Sequence, residues 1–329
     1  MIVADATASP QRPIAPPPQT TVAMESLFGG PVPEGSVSPD ELLDLIQNKF
    51  LPVIGNINHP NLMGYVFSTP LPLAGMIDAL VSSVKFAPVE WAFMPGSTHI
   101  EVTVVRWLGE MVGYSDHAVG SITTGGTMAN LIGLAVARVR RAGWDVRAEG
   151  LGGHRPLIAY CSAEAHTCTE KSVELLGLGL NQLRKIPVDA DYRIRLDLLE
   201  EAIETDVAAG FKPFCVIGSA GTVNTGAVDR LDALADIALK YDCWFHVDGA
   251  YGAFGAMADE AKPLFEGIHR ADSLVLDPHK WLNIPLESGC VLVKDWKDLS
   301  DTFSTLPAYL RAAGEMNPEG HDHLHHSFE

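Results

Sequence analysis

The sequence predicts an α/β fold in which a mostly parallel, mixed sheet carries helices on both faces. From about residue 120, short apolar runs of strand length alternate with segments of helical periodicity. The runs are continuously apolar, which is typical of parallel strands covered on both sides. The predicted strands are 157–160, 215–217, 243–247, 273–276 and 290–293.

The helices between these strands are predicted from apolar residues that recur at helical spacing. The clearest covers 127–142 and ends in Arg140 and Arg141 before Gly143, where the helix dipole favours basic residues. A further helix is predicted after Glu101, with its apolar face at Val104, Val105, Leu108 and Met111. Two more helices are predicted from the same spacing. The first has its apolar residues at Leu199, Ile203 and Val207, and the second at Leu231, Leu234, Ala238 and Tyr241.

Changes in composition divide the chain into four regions. Residues 1–37 are rich in Pro and Ala without apolar periodicity, which predicts a flexible arm. Order is expected from Ser38, which forms a capping-box pattern with Glu41. We expect an N-terminal segment over 38–95 and a large domain over 96–300. The polar stretch 301–329 indicates the start of a truncated C-terminal region.

Charge and composition exclude several classes of partner. The chain has 23 Lys and Arg against 41 Asp and Glu, a formal charge of −18, and this charge repels nucleic acid and anionic lipid. It contains no run of about 18 apolar residues, so we expect no transmembrane helix. The N-terminus lacks the pattern of a secretory signal, and we therefore expect a cytoplasmic protein whose partner is a small molecule.

Cysteine and histidine give no prediction of a metal site. The five cysteines form no CxxC pair, which favours buried, reduced thiols. Four histidines crowd the end of the chain, where a solvated segment is favoured over a metal site. They are His321, His323, His325 and His326.

Two segments combine strand ends with chemistry suited to a flat, phosphorylated ligand. In SITTGGTMAN (121–130) a strand passes through two glycines into a helix. The exposed N–H groups and the hydroxyls of Thr124 and Thr127 suit a phosphate, although ordinary turn chemistry is an alternative. In WFHVDGAYG (244–252) a strand ends in Asp248, and small residues follow that leave room for a ring. The alternative for Asp248 is a carboxylate that caps the next turn.

The segment DPHK places Lys280 at the end of the next strand. Neighbouring parallel strands would therefore deliver a carboxylate and an amine to one edge of the sheet, with a plain salt bridge as the alternative. A phosphate anchor, an acid for a ring nitrogen and an amine for a Schiff base are together what pyridoxal 5′-phosphate requires.

At this point the chain resembles the group II pyridoxal-phosphate-dependent amino acid decarboxylases, which act on aromatic amino acids, glutamate, histidine or tyrosine. The resemblance rests on HVDGAYG, DSLVLDPHKW, GTVNTGAVD and AEAHTCTEKSVELLGLG, and on the earlier NHPNLMGYV and PGSTHIEVTVVRWLGEM. It covers residues from about 40 to 310 and implies the type I fold, like that of aspartate aminotransferase.

The resemblance implies roles for individual residues. Lys280 would form the Schiff base with the cofactor, and Asp248 would pair with the ring nitrogen. His166 would stack on one face of the ring and Ala250 would pack on the other.

The cofactor phosphate would be held by Gly126 and Thr127, with His279 in contact with it. Where relatives often have GTT, this chain has GTVN, so Val223 replaces a hydroxyl with a methyl group. Either Thr222 or Asn224 could supply that contact, or it could be absent.

The activity that the resemblance implies is decarboxylation of an L-amino acid to its amine and CO₂, by a homodimer. Two alternatives stay open. One is another pyridoxal-phosphate-dependent lyase that breaks a carbon–carbon bond, and the other is a cofactor-binding but catalytically impaired fragment. The identity of the amino acid cannot be predicted from these motifs.

Overall fold

The protein is described by a computed structural model that covers residues 11–304 apart from 33, 67 and 85–93. Residues 305–329, with the four histidines near the end of the chain, lie outside the described residues. The chain divides into two compact units, with the boundary between Asp78 and Ala79. In the described part, no helix is long and apolar enough to cross a bilayer.

The first unit is helical. It contains α1 (Thr21–Phe28), α2 (Pro39–Leu45), a π-helical turn (Ile46–Phe50) and a 3₁₀ turn (Leu51–Val53), and α3 (Pro72–Ser83) begins in it. The predicted capping box is confirmed, because the Glu41 N–H donates to Ser38 Oγ at 3.2 Å and the Ser38 N–H donates to Glu41 Oε2 at 2.7 Å. Helix α1 lies in the segment for which we predicted no helix. It buries no residue, so no apolar periodicity marks it in the sequence.

Among the described residues, the second unit is built on a mixed sheet of seven strands. The mixed, mostly parallel sheet agrees with the prediction from the sequence. The strand order is β1-β7-β6-β5-β4-β2-β3. Only β7 is antiparallel to its neighbours, so the carboxyl ends of the other six strands lie at one edge. The strands are β1 (Val119–Thr123), β2 (Leu157–Ser162), β3 (Leu183–Ile186), β4 (Lys212–Ser219), β5 (Trp244–Asp248), β6 (Ser273–Leu276) and β7 (Gly289–Val293).

Helices cover both faces of this sheet. They are α4 (Pro95–Met111), α5 (Gly126–Arg141), α6 (Val146–Glu149), α7 (Cys168–Leu175), α8 (Leu196–Ala208), α9 (Leu231–Lys240), α10 (Pro278–Trp281) and α11 (Trp296–Phe303), with 3₁₀ turns at Leu180–Gln182, Ala253–Met257, Lys262–Phe265 and Ile268–Arg270. One core contains buried residues of α4, α8 and α9, and the other contains those of α5 and α11.

Strand β5 shows how the fold directs side chains to the site. Phe245 and Val247 belong to the core beneath α9, whereas Trp244 belongs to the core beneath α5. Side chains alternate along a strand, so His246 and Asp248 share the α5 face. Asp248 is therefore the last residue of the strand on the face where α5 begins.

Two elements differ from the sequence prediction. Strand β3 was not predicted, since its LRKI sequence carries two cations, a composition that suits an exposed sheet edge. Helix α4 begins at Pro95 rather than after Glu101, because proline is well tolerated in the first turn of a helix.

Candidate active site

A cavity of about 440 Å³ lies at the carboxyl edge of the parallel strands. It is lined by the loop between β1 and α5, the residues that follow β2 and β4, and the ends of β5 and β6. Every residue predicted for catalysis or cofactor binding lines it. They are Gly126, Thr127, His166, Thr222, Asp248, Ala250, His279 and Lys280.

The start of α5 offers free backbone donors to this cavity. Gly125 occupies the N-cap position with φ of +153°, and no side chain caps the helix. The first N–H groups of a helix have no partner within it, so they and the helix dipole favour an anion. Thr124 and Thr127 also line the cavity. This arrangement fits the phosphate predicted from the sequence.

Gly126 is required by the close approach of two neighbours. A Cβ atom added there would lie 2.7 Å from Asp277 Oδ2, 3.0 Å from Asp277 Oδ1 and 3.1 Å from Ala250 Cβ. Any larger residue would displace either the carboxylate or the loop that offers the donors.

Gly126→Ala is therefore expected to weaken binding of pyridoxal phosphate. Overpacking costs about 1–3 kcal/mol, which corresponds to an affinity loss of about fivefold to about 150-fold. Absorbance titration of the cofactor measures the effect. Gly152→Ala is the matched control, because no atom lies within 4 Å of its added Cβ. Equal affinities for the two variants would contradict the assignment.

Lys280 lies on the short helix α10, just after β6. Its Nζ is 2.8 Å from Asp277 Oδ2, and the Asp277 side chain is only 3% exposed. Burial raises the pKa of Asp277, and the Lys280 ammonium opposes that rise. The plain salt bridge considered as an alternative would have joined Lys280 to Asp248; the structure instead pairs Lys280 with Asp277, inside the cavity. Sequence reasoning missed Asp277, although its position at a strand end in DPHK was a signal.

Asp248 lies on the strand adjacent to β6, as predicted, in register with Val275. Its Oδ1 accepts a hydrogen bond from the Ala250 N–H at 3.2 Å, so it also caps the following turn. Its Oδ2 accepts a weak hydrogen bond from the Cys168 thiol at 3.9 Å. Burial and then the charge of Asp248 raise the pKa of Cys168, which keeps the thiol protonated.

The two histidines predicted for the site are both oriented by backbone contacts. His166 Nδ1 accepts from the Cys168 N–H at 3.2 Å, which leaves the proton of a neutral ring on Nε2. His279 Nδ1 lies 2.6 Å from the carbonyl oxygen of Ser288, and its Nε2 is 4.0 Å from Asp277 Oδ2. Sequence reasoning did not predict these orienting contacts.

A buried chain of hydrogen bonds connects β5 and β6 to the start of α5 at Gly126. The Trp244 Nε1–H donates to Ser273 Oγ at 2.8 Å, and that hydroxyl lies 2.7 Å from His246 Nδ1. His246 Nε2 lies 2.9 Å from Asn130 Oδ1, and the Asn130 amide donates to the Gly126 carbonyl at 2.8 Å. Burial lowers the pKa of His246 to about 4, so the ring is neutral and donates from Nε2.

Thr222 and Asn224, the two residues that could replace the hydroxyl missing at Val223, have different surroundings in the structure. Thr222 lines the cavity, but its Oγ1 lies 2.7 Å from Thr225 Oγ1 and accepts from the Ala227 N–H at 3.2 Å. Asn224 instead donates to Glu164 Oε2 at 3.3 Å. Thr222 is therefore the one of the two that faces the cavity, with its hydroxyl engaged in the turn.

Comparison with known proteins identifies the family. The model of the pyridoxal-dependent decarboxylase conserved domain matches residues 25–323. This chain belongs to the pyridoxal-dependent decarboxylase family. The predicted family and its cofactor, pyridoxal phosphate, are thereby confirmed, while the roles of individual residues stay predictions.

Relatives in this decarboxylase family cover most of the chain. An aromatic-L-amino-acid decarboxylase of Bacillus atrophaeus is 37% identical over 289 residues, which are 88% of this chain and 58% of that protein. The structure of Oryza sativa TDC with PLP and tryptamine superimposes with a TM-score of 0.87 at 27% identity, over 95% of this chain and 66% of that one.

A second solved relative, Catharanthus roseus tryptophan decarboxylase in complex with L-tryptophan, gives a TM-score of 0.84 at 27% identity. The match covers 93% of this chain and 66% of that protein's chain. The predicted fold is confirmed. The chain spans less than two thirds of the length of these relatives.

Proposed function

We propose that this chain decarboxylates an L-amino acid, releasing CO₂ and the corresponding amine with pyridoxal phosphate as the cofactor. One observation carries the proposal: Asp248 ends β5, Lys280 follows the adjacent parallel strand β6, and both line one cavity with the uncapped start of α5. This is the combination of acid, amine and anion site that the cofactor requires.

The residues of the cavity fit the cofactor. The N–H groups of Gly126 and Thr127 at the uncapped start of α5 are available to an anion, and Ala250, 8% exposed, presents a small apolar side chain to the same cavity. A volume of about 440 Å³ lies in the range of sites for small molecules. Pyridoxal phosphate, when bound, supplies a ring that accepts the electron pair of the broken Cα–carboxylate bond.

Each side chain at the cavity would have its own role in the reaction. Lys280 supplies the amine that holds the cofactor, and its ammonium form can return a proton to Cα after CO₂ has left. Asp248 keeps a proton on the ring nitrogen, since its negative charge favours the protonated form. His166 and Ala250 would confine the ring between them, and His279 would lie beside the phosphate.

We further propose an aromatic amino acid as the substrate. The relatives named above support this, and so do apolar and aromatic side chains in the cavity wall. They are Met128, Val223, Tyr251 and Leu286. Contact with these four side chains favours an aromatic side chain, because burial of its apolar surface is stabilising.

The test is to incubate the full chain and pyridoxal phosphate with amino acids labelled in the carboxyl carbon. We expect labelled CO₂ and equimolar amine from tryptophan, tyrosine or phenylalanine, and far less from glutamate or 2,4-diaminobutyrate. Cleavage of another bond without labelled CO₂ would identify a carbon–carbon lyase. Cofactor absorbance without turnover of any substrate would indicate an impaired fragment.

We also propose that the chain forms a homodimer in the cytoplasm. Helix α3 exposes an apolar stripe at helical spacing, formed by Leu73, Met76, Ile77 and Leu80, with exposures of 51–68%. A contiguous apolar surface of this kind is typical of an interaction site. The five cysteines are free and buried, which supports a reducing compartment.

Leu80→Glu is expected to shift the chain from dimer to monomer, because a charge would be buried at the contact. Sedimentation velocity measures the change. Ser82→Glu is the control, since it lies on the opposite side of α3. A monomeric wild type, or equal masses for the two variants, would refute this interface.

A further inference from the structure

The chain of hydrogen bonds between β5 and α5 is buried along its whole length. It begins at Trp244 and passes through Ser273 to His246. From His246 it continues to Asn130, whose amide donates to the Gly126 carbonyl. The four distances lie between 2.7 and 2.9 Å, and none of the four side chains is more than 4% exposed. A hydrogen bond is stronger in such surroundings, and an unpaired group there is costly.

Only one assignment of hydrogens is compatible with this chain. The Gly126 carbonyl cannot donate, so the Asn130 amide nitrogen faces it and Asn130 Oδ1 faces His246 Nε2. Two acceptors would repel each other there, so Nε2 carries the proton. Burial lowers the pKa of His246 to about 4 and keeps the ring neutral, so its Nδ1 accepts from the Ser273 hydroxyl. Every donor in the chain therefore points toward Gly126.

The last of these bonds restrains a peptide group of the proposed phosphate site. The Gly126 carbonyl and the Thr127 N–H belong to one planar trans peptide, so they point in opposite directions. The N–H groups of a helix point toward its first residue, and Gly126 and Thr127 line the cavity at that end of α5. Fixing the carbonyl therefore fixes the direction of an N–H group that is available to an anion.

This restraint acts where the helix lacks another. No side chain caps α5, and its N-cap residue, Gly125, has φ of +153°. Glycine is the least restricted residue, so two in succession allow this peptide to rotate unless a further contact holds it. His246 is itself held in place by α5, since a Cβ atom added at Gly133 would lie 2.5 Å from its Cε1.

We propose that His246 is a positioning residue for the cofactor phosphate. It does not line the cavity, and it acts through Asn130. Asn130 holds the peptide between Gly126 and Thr127 so that the Thr127 N–H is directed at a phosphate oxygen. This inference rests on the proposed cofactor site, and it adds to that site a residue from within β5.

The experiment compares pyridoxal 5′-phosphate with pyridoxal, which lacks the phosphate, by absorbance titration of the cofactor-free full chain. His246→Leu removes the donor to Asn130. We expect this variant to bind pyridoxal 5′-phosphate about tenfold more weakly than wild type does and to bind pyridoxal equally well. Equal ratios of the two affinities in His246→Leu and wild type would overturn the proposal.

His246→Gln is the conservative variant, since its side-chain amide can donate to Asn130 Oδ1 from the place of Nε2. It should recover most of the preference for the phosphorylated ligand. A loss as large as in His246→Leu would show that the donor is not what matters, and would contradict the proposal.

Tyr160→Phe is the control for a general loss of stability. Tyr160 is fully buried in β2, its hydroxyl donates to Asp206 Oδ2 at 2.9 Å, and it does not line the cavity. Removing this hydroxyl should lower the melting temperature and leave the preference for the phosphorylated ligand unchanged. If it reduces that preference as much as His246→Leu does, the effect is one of stability alone and the proposal fails.

If His246→Leu does not fold, Asn130→Ala takes its place, because it removes the donor to the Gly126 carbonyl. The same selective loss of affinity for pyridoxal 5′-phosphate is expected, and an unchanged preference would refute the proposal.

Borohydride trapping of pyridoxal phosphate in wild type separates this inference from the proposed function. Trapping on Lys280, together with the same ligand preference in wild type and His246→Leu, would refute only the role of His246. Failure of trapping, with no preference of wild type for the phosphorylated ligand, would refute the cofactor site and this inference with it.

Discussion

Replacing Lys280 with alanine is expected to abolish amine production while leaving the fold intact. The variant loses the amine that would attach the cofactor and the group proposed to return a proton to Cα. Loss of a positioned proton-transfer group alone costs about 10²–10⁴-fold in rate, and loss of the attachment adds to this. The side chain contacts Asp277 within an open cavity, so a smaller effect on the melting temperature is expected.

The measurement is borohydride reduction of the cofactor-loaded chain, followed by peptide mapping and an assay of amine formation. Wild type should carry the pyridoxyl group on Lys280. Lys294→Ala is the critical control. Partial burial lowers the pKa of Lys294, which favours the neutral form of its amine, the form that reacts with an aldehyde. Label on Lys294 or Lys262, or full activity of Lys280→Ala, would refute the assignment.

The residues that sequence analysis could place are those at the ends of predicted strands. Asp248 and Lys280 follow continuous apolar runs, and parallel topology brings such ends to one edge. Gly126 could be located because two glycines separate a strand from a helix. His166 had no such signal, since a lone histidine in a loop carries little information, and its prediction came only from the resemblance.

The parts that could not be predicted depend on pairings across the fold. His246 is one residue in an apolar strand, and nothing local indicates that Asn130, 116 positions away, accepts its hydrogen bond. Asp277 resembles an ordinary strand-end carboxylate until its unpaired oxygen is seen beside Gly126. Tertiary contacts between distant residues, rather than periodicity, define these features.

Asp248→Ala is expected to reduce turnover by about 10²–10³-fold, the cost of removing one preorganised electrostatic contact at a reacting centre. Without its charge the ring nitrogen loses the partner that favours its protonation, and the ring accepts electrons less well. Folding should suffer much less. The structure shows one backbone hydrogen bond to the carboxylate, from the Ala250 N–H, worth about 0.5–1.5 kcal/mol.

The competing explanation is that Asp248 only caps its turn, and Asp189 provides the matched control. Asp189 Oδ1 accepts from the N–H two residues ahead at 2.9 Å, the same local bond, and also from the Arg193 N–H at 3.0 Å, but it is exposed and does not line the cavity. Asp189→Ala should therefore lower the melting temperature by at least as many degrees as Asp248→Ala and leave the rate of amine formation unchanged. If the two variants lose stability and turnover in the same proportion, Asp248 has only the capping role. If Asp248→Ala alone loses turnover while it still binds the cofactor, its charge acts on the ring.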